Sequence, residues 1–303
     1  MRIVSLLPSA TEIAVALGLG ERLVGRSHEC DYPAWVARLP VCTATKLEKG
    51  LNSRQIDDRV REIIRQGLSV YEVDAELLRS LQPDLILTQS QCAICAVTPA
   101  DLEEALGKWI GAKPAMLSLA PDRLDDVWSD FHRVAEAAGV PGTGARLVGD
   151  LRKRLKQLHE PETRAQTVAA IEWIDPLMVA GNWIPELIEL AGGRPAFQPG
   201  DGEPAWIELD ALAAADPDVI ILMPCGYRIE QSTKELAEWI KQPQVNDLRA
   251  VRCGRLFVAD GHHFFNRPGP RLVNSAEMVA QMLNAPDEVD RGTDGPWLRV
   301  AHA

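Results

Sequence analysis

Apolar residues fall along this chain in two rhythms. Short runs, apolar or entered through Pro-Asp, occur at 3–7, 81–87, 115–119, 167–173, 216–222 and 255–258. Runs of that length mark strands. Between them apolar positions recur every three or four residues, the mark of helices. The longest such stripe lies at 142–159, where Leu147, Leu151, Leu155 and Leu158 share one face. Asp150 and Arg154 stand four apart with the acid first, the favoured order for a helical ion pair. Pro141 and Gly142 precede this helix and Pro161 lies just beyond it. At 1.5 Å per residue it spans roughly 27 Å.

Similar patterns flank that helix on both sides. After the first run, Ser9 and Glu12 have capping-box spacing and open a helix that Gly18 and Gly20 end. A second strand follows at 23–25, and strand–helix–strand order predicts a parallel sheet. Residues 53–80 read as solvent-facing helix, and 99–109 and 124–138 as further helices. Beyond the central helix, residues 186–191 and 272–283 read as helical. A Pro-Asp-aliphatic strand entry at Pro83-Asp84 recurs at Pro217-Asp218. The expected class is α/β: two halves with parallel sheets on either side of one long, rigid helix. The boundaries read as an N-terminal lobe at 1–120, a helical connector at 121–162 and a C-terminal lobe at 163–285. A tail at 286–303, rich in Asp, Gly and Pro, is expected to be loosely held. One large domain carrying that helix on its surface is the alternative.

A length of 303 residues, 46% apolar and 25% charged, suits a globular protein of two domains or one large one. The net charge of −11, without a basic block, argues against nucleic acid as a partner. No apolar run is long enough to insert in a membrane. Met1-Arg2 leads straight into a strand, so no signal peptide is read, and the expected location is cytoplasmic, or periplasmic if a leader has been removed. Six cysteines in a chain this long fit a reducing compartment better than a disulfide framework.

In an open parallel sheet, ligands bind at the carboxyl ends of the strands. The loops expected there are 8–11, 27–33, 88–95, 181–184, 223–227 and 260–267. They carry Ser9 and Thr11 at a helix N-terminus, able to meet a polar ligand edge or simply to cap the helix. They also carry Tyr32, Gln89, Trp183, Tyr227, His263, Phe264 and Phe265, with Trp206 in a nearby Gly/Pro-rich segment. Aromatic residues on both halves point to a cleft for a large, flat ligand. Of Phe264 and Phe265, one ring is expected to turn inward and one outward. His28, Cys30, Cys92 and Cys95 form a candidate metal or thiol cluster on the first half. The competing reading makes them small, partly buried residues with no shared role. His263, on the second half, is a candidate axial ligand to a bound cobalt or iron.

Residues 5–12, the Asp31-Tyr32-Pro33 loop, both Pro-Asp strand entries and residues 267–271 carry a resemblance. They resemble the substrate-binding proteins of ABC importers for cobalamin and iron chelates, with the cobalamin binders nearest. The likeness runs in order over about residues 2–284. It implies two Rossmann-like lobes joined by one rigid helix, with a corrinoid held edge-on between them. It implies a binder, not an enzyme, with no cofactor required beyond the cargo and an ABC transporter permease as partner. Carboxylates for docking that permease would fall at Asp101 and Asp210, where the family carries glutamates. The family is exported, and its cobalamin binders carry Asp where this chain has His263. Haem or iron-chelate binding, or a cytoplasmic metal- or thiol-dependent enzyme on the same scaffold, are the alternatives.

Overall fold

The computed structural model describes residues 1–48, 50–66, 69–90, 102, 107, 113–158, 165–198, 200, 202–286 and 295–300. The chain forms two compact units. The first comprises Met1–Leu51, Gln55–Pro121 and Asp125–Asp150; the second comprises Asn52–Arg54, Asp122–Leu124 and Leu151–Ala303.

In the first unit, β1 (Ile3–Ser5) leads into α1 (Pro8–Ala16) and β2 (Leu23–Arg26). Next come β3 (Thr43–Thr45), α2 (Ser53–Arg65), β4 (Tyr71–Val73), α3 (Ala75–Leu81), β5 (Leu85–Gln89) and β6 (Ala115–Leu119). The main sheet runs β2-β1-β5-β6 and is parallel throughout, as the strand–helix–strand pattern predicts. Val4, Leu6 and Ile86 pack with Cys42, Leu78 and Leu102 on one side of it. Residues 53–80 are not one helical stretch: β4 interrupts them and pairs antiparallel with β3. Ile56, Val60 and Ile63 form the buried stripe of α2 and pack on Val70 and Tyr71.

Helices α4 (Leu124–Ala137) and α5 (Pro141–Lys156) follow. Pro141 begins α5 instead of preceding it, because its missing N–H costs nothing in the first turn. Val148, Leu151 and Leu155 are buried, while Leu147 and Leu158 are half-buried. Arg154 pairs with Glu277 at 2.7 Å, not with Asp150 as the spacing suggests.

The second unit contains β7 (Thr167–Trp173), β8 (Met178–Val179), α6 (Ile184–Leu190), β9 (Arg194–Pro195), β10 (Ala205–Trp206) and α7 (Leu209–Ala215). It continues with β11 (Val219–Leu222), α8 (Ile229–Trp239), α9 (Pro243–Asn246), α10 (Arg249–Arg252), β12 (Leu256–Ala259), α11 (Leu272–Leu283) and β13 (Trp297–Arg299). Its sheet runs β10-β8-β7-β11-β12-β13, with β9 beside β7. This sheet is mixed, not parallel throughout. β9, β7, β11 and β12 are parallel, while β8, β10 and β13 run against their neighbours. The segment after Pro286, expected to be loose, returns as β13: the Trp297 side chain is 2% exposed and packs edge-on against Phe257. Ile171, Ile220, Leu222, Leu256 and Val258 face Leu212, Leu236 and Trp239 in one core layer.

The repeated Pro-Asp strand entry has a physical role. In each unit a seven-residue helix ends on a left-handed residue, Gln82 (φ 43°) or Asp216 (φ 37°). The Asp that follows the proline then clamps the start of the neighbouring strand. Asp84 accepts from the Arg2 backbone N–H at 2.6 Å, and Asp218 accepts from the Thr167 N–H at 2.8 Å and its hydroxyl at 2.7 Å. The same device sets the strand entry in both units.

Candidate functional site

The strand-end loops of the first unit hold polar groups tied into the structure. Helix α1 starts two residues before the capping-box spacing suggests. Its N-cap is Leu7, Pro8 occupies the first turn and no side chain caps it. Ser9 and Thr11 are therefore buried inside the helix, at 3% and 1% exposure, and do not front a binding edge. Thr11 Oγ1 lies 2.8 Å from Ser5 Oγ, 3.1 Å from the Leu7 carbonyl and 3.0 Å from Cys30 Sγ. A hydroxyl has one hydrogen to give, so it donates to one of these and accepts from others. This places the Cys30 thiol, 1% exposed, in a closed polar knot.

On the same loop His28 Nδ1 lies 2.8 Å from Thr43 Oγ1, its ring centroid is 5.5 Å from that of Tyr71 and its Nε2 is 3.5 Å from Glu29. Burial lowers its pKa, with Glu29 opposing and Arg26 assisting, so the imidazole is held neutral. His28 and Cys30 thus share a loop but direct their ligand atoms to different partners. Cys92, Cys95 and Asp101 lie outside the described residues. Tyr32 is 46% exposed, and Gln89 is half-buried at the end of β5.

In the second unit, two loops at the carboxyl ends of β11 and β12 are knitted together. His262 N–H donates to the Tyr227 carbonyl at 2.9 Å, and the Asn266 amide donates to the carbonyls of Met223 at 3.0 Å and Gly261 at 3.1 Å. Asp260 organises the turn. Its Oδ1 accepts from the N–H groups of His262 at 2.9 Å and His263 at 2.8 Å, and its Oδ2 lies 2.7 Å from His263 Nδ1. These bonds hold the Asp260 carboxyl below its ordinary range despite burial. His263 Nε2 lies 3.4 Å from Arg228 Nη2, and His262 Nε2 lies 3.0 Å from Nη2 of Arg267, which is 6% exposed. Neither Asp260 nor Arg228 was legible as a site residue; the one signal was an acid three places before His263.

The expected aromatic rim divides. Trp183 is a correction: it is 6% exposed and its indole N–H donates to the Phe265 carbonyl at 2.7 Å, so it packs in the core. Tyr227 is likewise core, 3% exposed, with its ring against Trp173 at 5.4 Å and its hydroxyl 3.0 Å from Glu235. Burial, then the Glu235 carboxylate, push the Tyr227 phenol upward, which keeps it a neutral donor. Phe265 turns inward at 1% exposure, with φ 56°, while Phe264 stays half-buried under the Arg271 guanidinium at 5.1 Å. Trp206 is 51% exposed. Asp210 is exposed in the first turn of α7 and accepts from Gln244 at 2.7 Å.

Glu172, in β7, is a further partly buried acid at this end of the sheet. Burial pushes its carboxyl up to about 7, against one backbone hydrogen bond from Gly181. The folded state therefore favours the protonated acid. The resulting stabilisation is complete below the ordinary carboxylate range and is lost as pH rises through about 7. Glu172→Gln should stabilise the protein at pH 8 by about 1–3 kcal/mol, and leave it little changed at pH 4.5. Paired thermal melts of both proteins at the two pH values check this; equal shifts at both would contradict it.

The chain thus consists of two α/β units, each with polar and aromatic side chains on the loops that follow its parallel strands. Comparison with known proteins places it more closely. The family model described as periplasmic binding protein matches residues 3–262, and the chain belongs to that family. These are solute binders of ABC importers, not enzymes. The chain is 26% identical to a vitamin B12-binding protein of Vibrio parahaemolyticus over 284 residues, 92% of this chain and 88% of the relative. It is 24% identical to that of Vibrio cholerae over 286 residues, 93% and 88% of the two chains. Among solved structures, the periplasmic vitamin B12-binding protein of Vibrio cholerae superposes with TM-score 0.65 at 21% identity, over 95% of this chain and 98% of that one. The periplasmic heme-binding protein of Roseiflexus sp. RS-1 superposes with TM-score 0.67 at 24% identity, over 93% and 97%. Among the described residues, no helix is long and apolar enough to cross a membrane.

Proposed function

We propose that this chain binds a corrinoid, cobalamin or a precursor, as cargo for an ABC importer. The full-length likeness to vitamin B12-binding proteins carries this reading. Exposed Tyr32 and Trp206 support it, since each can lay an aromatic face on a flat macrocycle. His263 is the axial ligand for the bound metal in this reading, because neutral imidazole suits cobalt and iron. Asp210, with Asp101, supplies carboxylates for a permease. His28 and Cys30, with Cys92 and Cys95, supply ligand types for a separate metal, and metal analysis of protein prepared without chelator tests that assignment.

Titration with cyanocobalamin and with cobinamide should quench tryptophan fluorescence. Trp206→Ala should weaken binding up to about tenfold, the worth of one stacked aromatic contact. No quenching by either corrinoid at high micromolar protein would overturn the reading. Haem is the second reading, favoured by the same His263 beside Asp260. A Soret band appearing on haem titration where corrinoids fail would select it.

A further inference from the structure

Two histidines stand side by side at the end of β12, their ring centroids 4.7 Å apart. Sequence alone cannot say which could meet a metal, or through which nitrogen. The partners decide both questions. A carboxylate can only accept and a guanidinium can only donate. Asp260 Oδ2 at 2.7 Å therefore places the proton of His263 on Nδ1. Arg228 Nη2, facing the other nitrogen at 3.4 Å, marks Nε2 as the acceptor. Asp260 and Arg228 together favour the tautomer with its proton on Nδ1 and its lone pair on Nε2. For His262 the acceptor nitrogen is also Nε2, but it meets the buried Arg267 at 3.0 Å. A metal would have to displace a buried cation there. At His263 it displaces an exposed arginine held at the long end of hydrogen-bond distance.

We propose that Asp260 is the positioning residue of this site, holding His263 and not His262 as the metal-facing imidazole, through Nε2, with Arg228 as the displaceable donor that occupies that nitrogen before the metal arrives. This rests on the axial role given to His263 above. A carboxylate behind a metal-binding histidine fixes the ring and raises its basicity, and its loss commonly costs about tenfold to hundredfold in metal affinity.

Asp260→Asn makes a specific prediction. Asp260 Oδ1 already serves two backbone N–H groups, so the amide oxygen must take that place. The amide NH2 then faces His263 Nδ1 and donates to it, driving the ring proton to Nε2. The wrong tautomer follows from a nearly isosteric change, as in the serine-protease triad.

Two measurements separate the positioning claim from the axial one. Long-range 1H–15N correlation of the ligand-free wild-type protein at pH 7.5 should show His263 neutral with its proton on Nδ1. In Asp260→Asn the proton should move to Nε2. Aquacyanocobinamide, whose cobalt carries an exchangeable water, should show an imidazole-type shift of its visible bands with wild type. Asp260→Asn should bind it about tenfold to hundredfold more weakly or without that shift. A wild-type His263 protonated on Nε2, or an Asp260→Asn protein that keeps the Nδ1 tautomer, overturns the positioning role. The wild-type spectrum gives this answer even if the variant does not fold. A visible shift that survives His263→Ala overturns the axial reading, and leaves the tautomer result to stand by itself.

Discussion

Gly261→Ala should be among the most damaging single substitutions in the second unit. A Cβ built at Gly261 would lie 2.2 Å from the Pro224 carbonyl oxygen and 2.6 Å from that of Met223. Both obstacles are backbone, so no side chain can swing away. The two loops would have to part, and the bonds from His262 N–H to Tyr227 and from Asn266 to Met223 part with them. Overpacking commonly costs 1–3 kcal/mol and more where the backbone must move, so we expect a loss of about 3 kcal/mol or more. In a unit of this size that is a fall in Tm of roughly 10 °C. The loop also carries His263, so on the proposed axial role corrinoid affinity should fall together with stability. Gly149→Ala is the contrasting control. Nothing lies within 4 Å of a Cβ there, and the site is inside α5. Alanine should gain about 0.5–1 kcal/mol by helix propensity. A Tm for Gly261→Ala within 2 °C of wild type would refute the close-packed loops.

Trp183→Ala should lose about 3–5 kcal/mol, the usual cost of truncating a buried large aromatic. The residue does two things that alanine cannot. It fills core space at the start of α6, and its indole N–H satisfies the Phe265 carbonyl at 2.7 Å. Phe265 is in the left-handed region, which an L-residue adopts at a cost of about 1–2 kcal/mol. Two bonds hold it there: the one from Trp183 and its own N–H to Ser275 Oγ at 3.0 Å. Removing the first frees the turn that carries His262 to Phe265. Urea titration of Trp183→Ala and Trp183→Phe separates the contributions. Phenylalanine should recover most of the packing but not the hydrogen bond, leaving a deficit of about 1–2 kcal/mol. Loss of corrinoid binding in Trp183→Ala without loss of stability would return the residue to the ligand surface.

What was legible in the sequence follows physical lines. The strands β1, β5, β6, β7, β11 and β12 were readable because most are shielded on both faces, which leaves little room for polar residues. Apart from β1, the two- and three-residue strands β3, β4, β8, β9, β10 and β13 were not. So few residues cannot show a period, and their pairing is decided by distant partners. Helix α8 escaped for a subtler reason. Its buried stripe runs Ser232, Leu236, Trp239, and the serine hides the apolar rhythm. The Ser232 hydroxyl donates to the Arg228 carbonyl one turn back at 3.2 Å, so it can be buried without a foreign partner.

At the candidate site, Phe264 and Phe265 do divide, one half-buried and one inward, but through a turn with Phe265 at φ 56° and not through strand alternation. Trp183 was misplaced because a Gly-Asn-Trp-Ile-Pro junction looks exposed. Its burial depends on a left-handed residue eighty-two positions later, which no local pattern announces. The tautomer-setting pair of Asp260 and Arg228 is invisible for the same reason: it needs two loops to meet.

The antiparallel pairing of β13 with β12 also orders events in time. Every residue of the first unit precedes position 151, so that unit can fold while half the chain is still being made. The second unit cannot. Its sheet gains its last strand only when residues 297–299 emerge, and until then β12 presents an open row of backbone donors and acceptors. The loop carrying His263 leaves the end of that same strand. During synthesis, the half of the protein that holds this histidine is the last to close, and the open edge of β12 is where a chaperone or a neighbouring nascent chain would find purchase.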